Sequence, residues 1–251
     1  MRVLAVETAT SAGSVALVEK GEVVAELFLR TEAAHAERLL PAIDRVLGLA
    51  GASPHSLDGL AVGVGPGSFT GLRIGISTVK GLAWSLGRPV VGIPTLEALA
   101  CNALTSPLLL CPMLDARKAE VYAALYRVRR GPGDNGLQEL RGVRVLPPRA
   151  VAAEITEPTL FLGTGARLYR EFLTETLGDL ARFAPSGLDH PRAAVVGGLA
   201  EEAFQAGRGV SPETLGPLYV RSSEAELKYG PPGPAPGWST GPGSARSPQG
   251  A

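Results

Sequence analysis

The chain has 251 residues and a formal net charge of zero, because its 24 basic and 24 acidic side chains cancel. That balance argues against a broad basic surface able to hold a nucleic acid unaided. Hydrophobic residues make up 45% of the chain, enough for a packed core in one large or two small domains, and no apolar run reaches the roughly 18 residues of a membrane span.

The first thirty residues predict three antiparallel strands. Residues 2–8 form an apolar strand that ends in a carboxylate, a small polar turn covers 9–13, and a second strand covers 14–19. Gly21 then turns the chain into a third strand over 22–30, where apolar and more polar residues alternate. This start is not a basic leader with a cleavable apolar segment, so we expect a cytoplasmic protein.

The next segment predicts helices alternating with strands. Apolar residues at helical spacing indicate a helix over 35–50, although Pro41 removes one backbone donor and implies either a kink or a start one turn earlier. A buried strand over 57–64, a glycine loop and a helix over 71–86 form half of a βαβ unit. A further strand and helix follow, over 90–93 and 95–104.

The second half opens like the first. An apolar strand over 108–114 ends in Asp115, a short turn covers 116–118, and another strand covers 120–128. This repeats the strand, carboxylate, turn and strand of the N-terminus, so we predict two related lobes. The remaining predicted elements are strands over 137–146 and 160–162 and helices over 166–177 and 191–206.

These elements predict four regions. The last of them contains six prolines and six glycines among 23 positions, a composition that cannot bury enough apolar surface to order itself. The regions are an N-terminal lobe over 1–104, a C-terminal lobe over 105–190, a helix and final segment over 191–228 that pack back on the lobes, and a disordered tail over 229–251.

A glycine loop over residues 63–73 is the most distinctive motif. It leads into a helix N-terminus, where unpaired backbone N–H groups favour an anion such as phosphate. It lacks the Gly-Lys-Ser/Thr of a P-loop and the glycine spacing of a dinucleotide fingerprint. A purely structural tight turn remains the alternative. The candidate phosphate contacts in this loop are Gly65, Gly67, Ser68 and Thr70.

Two carboxylates at strand ends suggest a second kind of site. Glu7, with its neighbour Thr8, and Asp115 could face each other across a cleft between the lobes and hold a magnesium ion. In the alternative, each carboxylate only caps its own turn by accepting backbone hydrogen bonds. The three histidines are far apart in sequence, and the spacing of the two cysteines fits no metal or redox motif.

Four stretches together resemble one known family. They are LAVETAT at 4–10, GPGSFTGLR at 65–73, DAR at 115–117 and PLYVR at 217–221, and the similarity spans nearly all of residues 1–221. The chain resembles the bacterial TsaB family of tRNA threonylcarbamoyladenosine biosynthesis proteins. The resemblance implies an α/β fold with two lobes, that of the actin, Hsp70 and sugar-kinase (ASKHA) ATPases, in which the two hairpin turns would grip nucleotide phosphates.

The resemblance also implies a subunit without catalytic activity of its own. TsaB-like proteins pair with a catalytic paralogue, TsaD, which transfers threonylcarbamoyl to N6 of adenosine 37 in tRNAs that read codons beginning with A. A small ATPase, TsaE, joins that pair, and tRNA is met only through the complex. The paralogue's metal needs two histidines on the helix after the third strand, whereas this chain offers only His35 there, so we expect no bound metal.

The predicted scaffold dimerises through the helices at 35–50 and 71–86. The alternative is that the apolar face of the first helix packs in the core of its own subunit. The same face would meet the catalytic paralogue or, when that is missing, a second copy of this chain. We expect Ile43→Glu to abolish pairing and to leave the monomer folded. The residues predicted to form the dimer interface are Leu39, Ile43, Leu47, Leu72, Ile76 and Val79.

Three alternatives stay open or lose support. An independent ATP-dependent enzyme of the kinase or ATPase type would use the two carboxylates for magnesium and residues 65–71 for phosphate, whereas the scaffold has no cofactor beyond weakly held ATP and magnesium at a partner interface. Direct tRNA contact would use Arg117, Lys118 and the arginines at 127, 129 and 130. Peptidase activity finds no support, because no nucleophile lies beside a plausible base.

Overall fold

Ten strands form two five-stranded sheets in the computed structural model, which describes residues 1–30, 35–129 and 136–220. The first sheet contains Arg2–Glu7 (β1), Ala12–Glu19 (β2), Glu22–Arg30 (β3), Gly59–Gly65 (β4) and Val90–Pro94 (β5). The second sheet contains Leu109–Asp115 (β6), Val121–Val128 (β7), Leu137–Leu146 (β8), Thr159–Leu162 (β9) and Ala181–Phe183 (β10).

The two sheets have the same topology. The first runs β3-β2-β1-β4-β5, and the second runs β8-β7-β6-β9-β10. In the first sheet, β1, β2 and β3 pair antiparallel, and β4 and β5 run parallel to β1. In the second sheet, β6, β7 and β8 pair antiparallel, and β9 and β10 run parallel to β6. The internal repeat predicted from the hairpins is therefore confirmed in the strand order.

Seven α-helices accompany the sheets within the described residues. Helices α1 and α2 cover the face of the first sheet that carries Leu4 and Val6. Helix α7 covers the opposite face, which carries Val3 and Ala5, as expected because side chains alternate along a strand. The helices are His35–Leu49 (α1), Phe69–Leu86 (α2), Thr95–Cys101 (α3), Pro148–Ala153 (α4), Thr164–Leu168 (α5), Arg170–Leu177 (α6) and Ala193–Gln205 (α7).

Some predicted elements need correction. The helix predicted over 166–177 is two helices, α5 and α6, which break at Tyr169. The short elements α4 and β10 were absent from the prediction. Pro41 lies inside α1, which continues on both sides of it. Helix α2 ends as predicted at Gly87, whose left-handed conformation (φ 63°) closes the helix.

The last described segment packs against the first sheet. Val210 and Val90 exchange two backbone hydrogen bonds of 2.9 Å, and the Leu218 N–H donates to the Val64 carbonyl at 2.7 Å. The described part of the region predicted at 191–228 thus lies against the N-terminal lobe, while 221–228 and the tail at 229–251 lie outside the described residues. No helix in the described part of the chain is long and apolar enough to cross a membrane.

Candidate functional site

The glycine loop and the first hairpin turn are bonded to each other. The Ser68 N–H donates to the Ala9 carbonyl at 2.7 Å, and the Thr8 hydroxyl donates to the Gly71 carbonyl at 2.8 Å. The Ser68 hydroxyl accepts from the Gly71 N–H at 3.2 Å and so caps the start of α2. Two of the backbone N–H groups that the sequence offered to an anion are therefore bound within the protein.

The glycines of this loop allow a close approach of backbone to backbone. A Cβ atom at Gly67 would lie 2.3 Å from the Ala9 carbonyl oxygen, and one at Gly71 would lie 2.1 Å from the Thr8 carbonyl oxygen. Gly65, with φ 109°, donates its N–H to the Thr95 hydroxyl at 3.1 Å. Larger residues at Gly67 and Gly71 would push α2 away from the turn, so these two glycines serve packing.

This packing buries the turn that the ASKHA resemblance assigned to phosphates. Thr8 is 1% exposed, Ala9 2% and Thr10 8%, and Ser11 is the exposed residue of the turn. Thr70, in the first turn of α2, is also exposed. The predicted phosphate residues near this turn thus divide into the buried Thr8 and Gly65, the half-buried Gly67, and the exposed Ser68 and Thr70.

Glu7 is fully buried beneath the turn. One carboxylate oxygen, Oε1, accepts from the Ala9 N–H at 2.6 Å, and Oε2 has no hydrogen-bond partner among the described residues. Gly63 makes room for this group, because a Cβ there would lie 2.0 Å from Oε2. Burial raises the pKa of Glu7 to about 7, against the lowering effect of the backbone bonds from Ala9 and Thr8.

Asp115 caps the second hairpin turn. Its Oδ1 accepts from the Arg117 N–H at 2.8 Å, and the Arg117 guanidinium lies 3.4 Å from Oδ2. Arg117, Lys118 and Ala119 all adopt positive φ, from 53° to 63°, so three non-glycine residues make a left-handed turn. Glu7 and Asp115 each bind their own turn, which agrees with the capping alternative. No group of three or more potential ligands is arranged to hold a metal within the described chain.

The residues predicted for the dimer interface lie in the core of the subunit, which corrects their assignment to the surface. Their exposed fractions are at most 5%, and they pack together with β1, β2 and β4. The apolar stripes of α1 and α2 therefore cover the sheet of their own subunit. The six buried residues are Leu39, Ile43, Leu47, Leu72, Ile76 and Val79.

The outer surface of α1 and α2 was missed by this assignment. The two helices contact each other on one face of the sheet. Gly48 is exposed in the last turn of α1 and Gly81 in the interior of α2, and a Cβ at either position would meet no described residue within 4 Å. Trp84 on α2 is 67% exposed. The sequence shows Gly81 inside the predicted helix and Trp84 one turn later, and their exposure in the structure makes them signals of a partner surface.

An aromatic cluster joins two of the distant motifs. The Phe69 and Tyr219 rings stack with centroids 5.7 Å apart, and the Arg73 guanidinium lies 3.8 Å above the Phe69 ring. The Arg73 Nε also donates to the Tyr219 hydroxyl at 3.2 Å. The glycine-loop motif and the motif at 217–221 therefore meet at one surface point, which sequence separation concealed.

The repeated sheet, with a hairpin opening each half and helices on the first sheet's two faces, defines a two-lobed protein of the ASKHA class. A family model described as TsaD, tRNA N6-adenosine threonylcarbamoyltransferase, matches residues 22–229.

The TsaB protein of Bacillus subtilis is 31% identical over 229 residues, which cover 91% of this chain and 98% of that protein. The TsaB protein of Escherichia coli is 34% identical over 234 residues, with coverage of 91% and 98%. The solved structure of YeaZ from Pseudomonas aeruginosa matches with a TM-score of 0.75 at 33% identity, over 87% of this chain and 99% of that one. The chain belongs to the TsaB (YeaZ-like) family.

Proposed function

We propose that this chain is a non-catalytic scaffold subunit required for threonylcarbamoyl transfer to adenosine 37 of tRNAs that read codons beginning with A. Its family membership supports a role in tRNA threonylcarbamoyladenosine biosynthesis. In this proposal the chain dimerises with a TsaD-like catalytic paralogue and supports binding of a TsaE-like ATPase. It meets tRNA only through that complex and forms a homodimer when alone.

The observation that carries the non-catalytic role is the burial of the first hairpin turn. Thr8 and Ala9 are 1% and 2% exposed, and their carbonyl groups face the backbone of Gly71 and Ser68. A phosphate oxygen needs exposed backbone donors at such a turn. The glycine loop and the first turn of α2 occupy the space beside the Thr8 and Ala9 carbonyl groups, which disfavours nucleotide binding on that side of the turn.

Titration of Mg·ATP into the isolated subunit tests this role against the independent-enzyme alternative. We expect no saturable heat, whereas an ATP-dependent enzyme would bind with a Kd of about 1 μM to 1 mM. The TsaD-like paralogue in the same buffer is the positive control. Magnesium-dependent binding that is lost in Asp115→Asn would overturn the scaffold and support the enzyme.

The outer faces of α1 and α2 are the proposed interface. Gly48 in the last turn of α1 and Gly81 in the interior of α2 place no side chain on these faces, and an interior glycine costs about 1 kcal/mol relative to alanine. Small residues of this kind allow a second pair of helices to approach closely. Trp84, 67% exposed, supplies a large apolar anchor of the type that dominates interfaces.

Gly81→Arg is expected to abolish both the homodimer and the heterodimer with the TsaD-like paralogue, with the subunit still folded. Light scattering of the mixed proteins measures assembly, and circular dichroism checks folding. Gly198→Arg is the matched control, since Gly198 also lies inside a helix with open space around its Cβ, but on α7, which covers the other face of the sheet. A normal heterodimer with Gly81→Arg would place the interface elsewhere.

A further inference from the structure

A groove of about 590 Å³ follows the outer edge of β5. Its floor is the strand itself, its walls are α7 and the segment over 208–216, and Glu97 of α3 lies at one end. The volume lies in the range of ligand sites, which is about 300–1,000 Å³. The apolar residues that line it include Val64, Val91, Ile93, Leu199, Ala203 and Leu215.

The edge of β5 is paired at its start and bare further along. Pro89 accepts a hydrogen bond from Leu60 of β4, whereas Val90 exchanges two hydrogen bonds with Val210 on the other side. Because the direction of the backbone groups alternates along a strand, the N–H and C=O of Gly92 also point away from β4. An antiparallel partner of Val90 would place Arg208 opposite Gly92. The Arg208 N–H instead donates to the Ala203 carbonyl at the end of α7, at 2.9 Å. No hydrogen bond to the outward N–H and C=O of Gly92 is found in the described chain.

The groove is acidic. Glu97 and Glu202 line it with one cation, Arg208, and Glu97 is half-buried with no hydrogen bond or ion pair among residues 1–30, 35–129 and 136–220. Burial raises the pKa of Glu97, partly offset by Arg208 and reinforced by the nearby charges of Glu139 and Glu202. A cationic group placed here would meet two carboxylates that have no hydrogen bond or ion pair with another described side chain.

We propose that this groove binds an extended basic segment of a partner protein, which adds to the sheet at the edge of β5. The segment's backbone would pair with the free N–H and C=O of Gly92, the mode of recognition known as β-augmentation. Its basic side chains would lie near Glu97 and Glu202. A small free cation would neutralise the carboxylates but would leave the N–H and C=O of Gly92 without hydrogen bonds.

The geometry also gives the order of side chains in the segment. Directly paired residues point to the same side of a sheet, and a Cβ at Gly92 would point at Val64 and Leu215. The residue opposite Gly92 is therefore apolar. Its two neighbours point to the other side, where Val91 and Ile93 pack with α7, which carries Glu202. The groove thus selects a basic–apolar–basic sequence.

Peptide titrations followed by NMR of the isotope-labelled full chain test this proposal. The probe is acetyl-Ala-Lys-Val-Lys-Ala-amide, and we expect it to shift the Gly92 amide and slow that amide's hydrogen exchange. The matched peptides carry glutamate in place of both lysines, or an N-methylated valine that cannot donate to Gly92. Both are expected to bind at least about tenfold more weakly, the loss of one good hydrogen bond or charge pair.

Protein variants separate recognition from general charge attraction. Glu97→Gln with Glu202→Gln is expected to weaken the lysine peptide about tenfold, whereas Glu171→Gln, an exposed change on α6, is expected to leave it unchanged. Folding of each variant is read from the same spectra. Equal binding of the glutamate or N-methylated peptide, equally strong competition by spermidine, or no shift at Gly92 would each overturn the proposal.

Discussion

Ile43→Glu is expected to unfold the subunit instead of separating a dimer. Ile43 is 5% exposed and packs in the core between α1 and the first sheet. Burying a carboxylate there removes the apolar contacts of isoleucine and places an unpaired charge among Leu and Val side chains. Such a change costs about 4–5 kcal/mol or more, a large part of the 5–15 kcal/mol that stabilises a typical domain.

Urea denaturation measures this loss, and Leu168→Glu is the control. Leu168 ends α5, away from the proposed interface, and is 59% exposed, so the same kind of substitution there is expected to change the free energy of unfolding by no more than about 1 kcal/mol. If Ile43→Glu kept the midpoint of the unchanged protein and lost only assembly, the original assignment of Ile43 to a partner interface would be restored.

The burial of Ile43 explains why the sequence located the apolar stripe of α1 but not the surface that covers it. Helical spacing identifies which side of α1 is apolar, and the structure puts that side against β2 and β3. Spacing does not say whether a sheet of the same chain or another subunit covers the stripe. A better signal lies on the neighbouring helix α2, where Gly81 occupies an exposed interior position at which glycine destabilises a helix.

Most strands were predictable because alternation and turn residues act locally. The strands β1, β2 and β3 and the hairpin of β6 and β7 follow from such local patterns, and their similarity revealed the repeated topology. The short elements α4 and β10 have six and three residues, too few for a periodic signal. The break at Tyr169 has neither proline nor glycine beside it, so nothing local marked it.

The glycine loop shows a different limit of sequence interpretation. Gly67 and Gly71 indicate that another group approaches the backbone closely. A bound phosphate and a second backbone segment of the same chain both require glycine at such positions. The structure supplies the turn at Thr8 and Ala9 as the approaching group. That neighbour is distant in sequence, so the choice between the two alternatives depended on tertiary structure.

Glu7→Gln is expected to stabilise the subunit at neutral and alkaline pH. The carboxyl group has an ordinary pKa of 4.5 and a pKa of about 7 in the folded protein, so the folded state holds the proton more tightly than the unfolded state. The stabilisation that the protonated Glu7 carboxyl group contributes to the folded state is fully present below about pH 4.5 and is lost as the pH rises to about 7. Glutamine keeps the shape and carries no charge, so at pH 8 the gain approaches about 3 kcal/mol.

Chemical denaturation of both proteins from pH 4.5 to 8 measures this effect as a difference in the free energy of unfolding. We expect the difference to be near zero at pH 4.5, because the Ala9 N–H keeps an acceptor in the glutamine side chain. The difference is expected to grow until about pH 7, because the unsubstituted protein loses the stabilisation that its protonated carboxyl group contributes. Glu7→Ala also removes the charge but leaves that N–H unpaired beside a void, so it is expected to be less stable than Glu7→Gln at every pH. A pH-independent difference, or a loss of stability with glutamine at pH 8, would mean that the folded state does not raise the pKa of Glu7. The metal alternative at the end of β1 would then regain support, since a buried carboxylate with one free oxygen needs a cation.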